Sequence, residues 1–170
     1  MILIEQRAPD NAAATEQLQL PFELRCKCRL RTRLASGEEA GLFLERGAVL
    51  RAGDRLLAND GRVVEVMAAS EQVMDVHSSD AHLLARAAYH LGNRHVAVEL
   101  QPGLVRFARD HVLGDMVRGL GLDVVETEAP FEPESGAYGG HGGHAHPHGH
   151  SADGEGRGPR IHDMMLLGRR

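Results

Sequence analysis

Apolar and polar positions along the chain change period near residue 70, and the change divides the sequence. Before it, short apolar runs alternate with glycine-punctuated polar stretches, so Ile2 to Ile4, Leu18 to Leu20, Cys28 to Leu34 and Leu42 to Glu45 each read as a strand. Leu56 to Ala58 and Val63 to Val66 flank Asn59-Asp60-Gly61, residue types that supply the turn of a hairpin. Residues 1–70 therefore predict a small all-β domain, and none of its glycines forms a phosphate-cradling loop.

From Glu71 the pattern turns mixed. Val73, Met74 and Val76 predict a short strand, and Ser78-Ser79-Asp80 supplies short polar side chains able to cap free helix amides. Leu83, Leu84, Ala87, Ala88 and Leu91 then form one helical stripe, which Gly92 is expected to end from the left-handed position. His95 to Leu100 reads as a strand with Val96, Val98 and Leu100 on one face and His95, Ala97 and Glu99 on the other. Gln101-Pro102-Gly103 predicts a turn into Leu104 to Phe107. Asp110 is placed to cap a second helix bearing Val112, Leu113, Met116, Val117 and Leu120, closed by Gly121, and Leu122 to Glu126 gives the last strand. The order is βαββαβ, the split pattern of ferredoxin-like domains, over residues 71–130. The predicted class is α+β.

Beyond Ala129-Pro130 the apolar periodicity disappears. Residues 131–170 are rich in Gly, Pro, Ser and His, with His141, His144, His146, His148 and His150 falling within ten positions. Such a tract has too little apolar surface to fold alone and is expected to be a disordered tail. It suits metal binding, because neutral imidazole is a ligand for Ni, Cu and Zn and a pliable chain lets several rings converge on one ion. A purification tag is usually an uninterrupted terminal run, whereas this tract is spaced and followed by twenty residues.

Composition narrows the classes. The 170 residues include no Trp and carry a formal charge of −5, which argues against a nucleic-acid backbone or an anionic membrane surface as main partner. RNA-binding sheets of the βαββαβ type present aromatic side chains to bases, and the strands here offer Phe107 alone. The first residues form too short an apolar run for a secretory signal, and no apolar stretch is long enough to span a bilayer, so a soluble cytosolic protein is expected. Cys26 and Cys28 stand two apart, a poor arrangement for pairing with each other and a weak soft-metal motif without a second cysteine pair.

Among the remaining histidines, His77 and His82 flank a helix start and are expected to be solvated, and His90 sits where a helix dipole favours a partly cationic ring. His162 lies in the short apolar segment that follows Arg160. No nucleophile elbow, no paired histidines around a glutamate and no compact Cys/His zinc signature occurs, which sets enzymatic chemistry aside.

The string Tyr89-His90-Leu91-Gly92-Asn93-Arg94-His95 resembles the signature of the urease accessory protein family UreE. The likeness continues through Pro102-Gly103, Asp110-His111-Val112-Leu113, Pro130-Phe131-Glu132-Pro133-Glu134, Gly136-Ala137-Tyr138 and the histidine-rich tail. The resemblance implies a homodimer that carries Ni²⁺, with Zn²⁺ or Cu²⁺ as competitors, to apo-urease together with the accessory GTPase. It implies that the all-β half binds the urease complex. It also places His95 as the central ligand, one from each protomer across the two-fold axis, and His111 as a second ligand near the interface beside Asp110. A two-fold axis duplicates any residue close to it, so one histidine per chain yields two ligands. Arg109 departs from the family pattern, where relatives often have another His, and this leaves the auxiliary interfacial site weaker or absent. A general histidine-rich buffer, or a carrier serving another metalloenzyme, shares every feature except these motifs.

Overall fold

The computed structural model describes residues 1–135, which belong to one compact unit. The chain runs β1 (Ile2–Arg7), β2 (Glu16–Leu20), α1 (Phe22–Arg25), β3 (Arg29–Arg33), β4 (Glu39–Phe43), β5 (Arg55–Ala58) and β6 (Val63–Ala68). It continues as β7 (Ser70–His77), α2 (Ala81–Gly92), β8 (Val98–Gln101), β9 (Leu104–Ala108), α3 (His111–Gly119) and β10 (Val125–Pro130). The tail histidines His141, His144, His146, His148 and His150, and the segment around His162, lie outside the described residues.

The first six strands form one mixed sheet in the order β2-β6-β5-β1-β4-β3. β1 pairs in parallel with β4 and β2 with β6, while the other neighbours are antiparallel. Alternation puts Ile2, Ile4, Leu18, Leu20, Leu42, Leu56, Val64 and Val66 on the inner face, and Leu50 joins them from a loop. The hairpin between β5 and β6 turns at Gly61, whose φ of 88° is open to glycine at no steric cost. The Asn59 side chain in that turn accepts a bond from the Leu3 amide at 3.0 Å, so the turn also fixes β1. Strands fill the expected all-β half, with one addition: the single helical turn α1.

Only Ala69 separates β6 from β7. The second half is a wholly antiparallel sheet in the order β10-β7-β9-β8, crossed on one face by α2 and α3. Met74, Val76, Val105 and Phe107 meet Leu84, Ala87, Leu91 and Val117 in its core. Burying a side chain the size of Phe107 contributes about 2–3 kcal/mol. Both helices begin as the sequence suggests. Asp80 accepts from the His82 and Leu83 amides at 2.8 and 3.3 Å, and Asp110 from the Val112 and Leu113 amides at 2.9 and 3.1 Å. These bonds satisfy amides that have no partner inside the helix.

Residues 131–135, expected to open the tail, are instead a strap that binds the two halves. Phe131 is buried and stacks edge-on against Phe22, with ring centroids 5.6 Å apart. The guanidinium of Arg25, wholly buried, donates to the carbonyls of Leu20, Leu50 and Phe131 and to the Glu132 carboxylate at 2.6 Å. Arg51 donates to the Glu132 carboxylate, the Pro133 carbonyl and the Ser135 hydroxyl. From the other side the Glu132 amide donates to Glu99 at 2.9 Å and the Glu134 amide to the Val98 carbonyl at 2.7 Å. A buried guanidinium survives only with its donors satisfied, and the strap supplies what the first half lacks.

Candidate metal centre

His95 is not on a strand. β8 begins at Val98, and His95 occupies the turn that ends α2. Its amide donates to the Gly92 carbonyl at 2.9 Å, and the Val96 amide reaches back to the Leu91 carbonyl at 3.2 Å. That pair of bonds is the Schellman closure of a helix, in which the residue carrying the first bond adopts the left-handed conformation that glycine favours. His95 takes that position with φ of 56°, while Gly92, expected to take it, belongs to the last helical turn. Leu91 and Val96 lie together in the core, the apolar contact that accompanies such closures. The alternation from Val96 to Leu100 therefore reflects this contact first and the β8 strand only from Val98 onward.

The consequence is an exposed imidazole on a fixed stem. Four backbone bonds close the turn, from Asn93 to Tyr89, Arg94 to Leu91, His95 to Gly92 and Val96 to Leu91, and the Arg94 side chain adds a fifth to the His90 carbonyl at 2.9 Å. Among residues other than glycine, histidine is one of the few enriched in the left-handed region. Such conformations persist where the surroundings over-determine them, and they concentrate at functional sites.

His111 is the first residue of α3 and is exposed. Asp110 beside it caps α3, with both amide bonds falling on Oδ1. Its carboxylate therefore has a structural task that the sequence pattern also foretold. Arg109 is ion-paired with Glu126 at 2.7 Å, which holds the guanidinium more firmly protonated. A guanidinium offers donors and no lone pair to a metal, so the departure at this position removes a ligand. Close in sequence to the two candidate histidines, Tyr89 and Val112 keep 65% and 63% of their surface exposed.

Within one chain, and among the described residues, no three of His, Cys, Asp and Glu come together closely enough to hold a metal. His77, 3.9 Å from Asp75, and His82 are exposed as expected. Cys26 and Cys28 are free thiols. Burial pushes the Cys26 thiol up, with Arg25 and Arg51 partly opposing it, so it is not an activated thiolate. Sequence reasoning missed the pairing of Arg25 with Glu132, which stand more than a hundred positions apart, and Glu132 entered it only within the Pro130 to Glu134 run.

Two joined modules define the class of this fold, a mixed β-sheet domain followed by a βαββαβ domain that presents a solvent-facing histidine as its candidate metal ligand. The family described as UreE urease accessory protein, N-terminal domain, matches residues 3–69, and the corresponding C-terminal domain matches residues 71–156. The chain is 54% identical over 140 residues to the urease accessory protein UreE of Alkalilimnicola ehrlichii, covering 82% of this chain and 86% of that protein. It is 55% identical over 139 residues to the protein of the same name from Pseudomonas putida strain W619, covering 81% and 86%. To that of Cupriavidus necator it is 52% identical over 145 residues, covering 85% and 73%. The chain belongs to the UreE family of urease accessory proteins, which are chaperones and not enzymes.

Proposed function

We propose that this protein is a nickel metallochaperone that delivers Ni²⁺ to apo-urease during assembly of its metallocentre, in the cytoplasm and in concert with the accessory GTPase. The ferredoxin-like second half, residues 71–130, forms a homodimer in which the two His95 imidazoles share one ion near the axis. Residues 1–70 engage the urease complex, and the histidines of the 131–170 segment, namely His141, His144, His146, His148 and His150, collect the metal. The observation that carries this reading is His95 itself, an exposed imidazole held left-handed at a helix end where glycine would be more stable. An open coordination sphere suits a carrier, because an acceptor can displace its ligands one at a time. Imidazole ligands accept Zn²⁺ and Cu²⁺ as well, so these ions compete. His111 is a secondary ligand in this scheme. Asp110 contributes its free oxygen at most, since the other is committed to the helix cap.

Isothermal titration of Ni²⁺ into the full chain and into a chain ended near Tyr138, each with and without His95→Ala, tests the reading. The expected result is one high-affinity Ni²⁺ per two shortened chains, lost with His95→Ala, and additional ions in the full chain. Equal stoichiometry in full and shortened chains would remove the tail from the scheme. A strictly monomeric protein with and without Ni²⁺, or undiminished binding by the shortened His95→Ala variant, would overturn the shared site. A pull-down with apo-urease and its GTPase reads the delivery step separately.

A further inference from the structure

The thiols of Cys26 and Cys28 belong neither to the strap nor to the candidate histidine centre. Both are free, Cys26 exposed and Cys28 partly so. Backbone bonds pin the segment that bears them at both ends. Cys26 caps α1, its amide donating to the Phe22 carbonyl at 3.2 Å, and the Lys27 amide donates to the Leu24 carbonyl at 3.1 Å. The Cys28 carbonyl then accepts from the Leu44 amide at 2.7 Å, in register with the β3–β4 ladder. Only Lys27 stands between the two cysteines, so their Cα atoms lie within about 7 Å of each other. Cys28 continues the alternation of Leu30 and Thr32, the half-buried side of β3. Leu24, Leu30 and Leu44, each two residues from one of these cysteines or bonded to it, pack against the core of the first sheet. The thiols therefore sit at the rim of that core.

What such a pair binds follows from spacing and charge. A disulfide needs its sulfurs about 2.05 Å apart, which two positions in sequence poorly allow, whereas a metal ion between two sulfurs holds them roughly 4–5 Å apart. Two thiolates are half of the four ligands that Zn²⁺ takes, and among the described residues no His, Asp or Glu joins them to make a set of three. Cu⁺, a monovalent ion with a filled d shell, is satisfied by two thiolates, and soft sulfur ligands select it. Binding displaces both thiol protons to solvent and leaves a complex with one net negative charge. Burial raises the Cys26 thiol, so it keeps its proton until a metal displaces it, while the guanidinium groups of Arg25 and Arg51 act in the opposite sense and favour the anion. Glu23, whose charge opposes the anion, is itself paired with Lys27 at 3.1 Å.

We infer that Cys26 and Cys28 form a two-coordinate site for Cu⁺, one ion per chain, set apart from the imidazoles. The arrangement sorts metals by softness, with Cu⁺ going to sulfur at the rim of the first sheet and borderline divalent ions to nitrogen. It does not depend on nickel delivery, because it rests on the two thiols and their surroundings alone. Any exposed thiol takes up copper loosely, and competition with a free thiol separates such uptake from a site in which two sulfurs act together.

The probe is Cu⁺ itself, supplied as its acetonitrile complex to the reduced full-length protein without oxygen. Bicinchoninate reports the free ion by colour, and excess glutathione is the competing thiol. Wild type is expected to withdraw one more Cu⁺ per chain than the double variant Cys26→Ser with Cys28→Ser. Each single serine variant should lose at least tenfold in affinity for that ion, since two sulfurs hold it. Copper K-edge absorption of wild type carrying one Cu⁺, recorded without glutathione, should show two sulfur neighbours. Equal uptake by wild type and the double variant, or full affinity in either single variant, overturns the inference. So does a spectrum dominated by nitrogen or oxygen. A Cu⁺-dependent rise in oligomeric state that Cys26→Ser abolishes overturns it in favour of one thiol from each of two chains, and Zn²⁺ uptake reduced equally in the double variant does so in favour of a divalent site. Cys26 is exposed, so Cys26→Ser reads the site even where replacing the half-buried Cys28 disturbs the fold. Ni²⁺ binding is measured in the same variants and should not change, so failure here leaves the nickel site standing, and the reverse holds.

Discussion

Left-handed backbone at a residue with a side chain costs on the order of 1–3 kcal/mol, and His95 bears that cost at φ 56°. Glycine relieves the strain but gives the unfolded chain more freedom to lose, an opposing effect of about 0.4–1 kcal/mol. His95→Gly is therefore expected to match or exceed the native chain in stability by up to about 2.5 kcal/mol, while His95→Ala, which retains a Cβ, gains nothing. Urea unfolding of both variants checks this, with Ni²⁺ titration alongside. A glycine variant that is less stable than the alanine one would show that His95 is not held against its preference. Asp110 allows a parallel separation of roles. Asp110→Ala should cost about 1 kcal/mol through the lost cap, while Asp110→Asn keeps the cap and isolates any contribution of the carboxylate to metal. At this scale the caps Asp80 and Asp110 were legible in the sequence because capping is a local bond between a side chain and amides two and three residues on. His95 was misplaced because Val96 repeats every second residue with Val98 and Leu100, and that spacing is the same whether Val96 belongs to a strand or to a helix closure.

The elements themselves were legible where one period ran long enough. The stripe of α2, the hairpin around Asn59-Asp60-Gly61 and the Gln101-Pro102-Gly103 turn between β8 and β9 all come from near neighbours. The strap over residues 131–135 was not, because the composition of Phe131-Glu132-Pro133-Glu134-Ser135 resembles a linker and its partners lie far away in sequence. Only the folded chain reveals that Phe131 belongs to the core and that Arg25, to which the sequence draws no attention, has no exposure at all. Arg25→Ala is expected to destabilise the protein by about 3–5 kcal/mol, since it leaves the Leu50 and Phe131 carbonyls without a donor and takes one from Glu132, which keeps Arg51 and the Ala52 amide. Glu132→Gln, which keeps an acceptor, should cost less than half of that. Denaturant midpoints of the two variants decide it, and equal losses would mean that charge and not hydrogen bonding secures the strap.

Across the whole molecule the two sheets are joined covalently by Ala69 alone and a second time by the strap, and the charged groups at the surface set how that assembly responds to acid. Hydrogen bonds from Ser36, Arg31 and Arg62 hold the carboxyls of Glu16, Glu39 and Asp60, respectively, below their ordinary values of 4.5, 4.5 and 3.8. A depressed carboxyl contributes stability above its unfolded value and loses it as pH falls through the folded one. The melting temperature should therefore hold steady from neutrality to about pH 5 and decline below about pH 4. In Glu39→Gln combined with Asp60→Asn that decline should be shallower, as differential scanning across pH would record. Because these groups face water, the difference is small.

The strap also determines where the molecule can be cut. A chain ended at Pro130, the apparent edge of the last strand, would strip Arg25 of its anionic partner and uncover the apolar seat of Phe131, so a fall in nickel binding by such a fragment would report unfolding and not the missing histidines. Ending the chain after Ser135 leaves every one of those bonds in place, and only there does subtraction of the tail measure the tail.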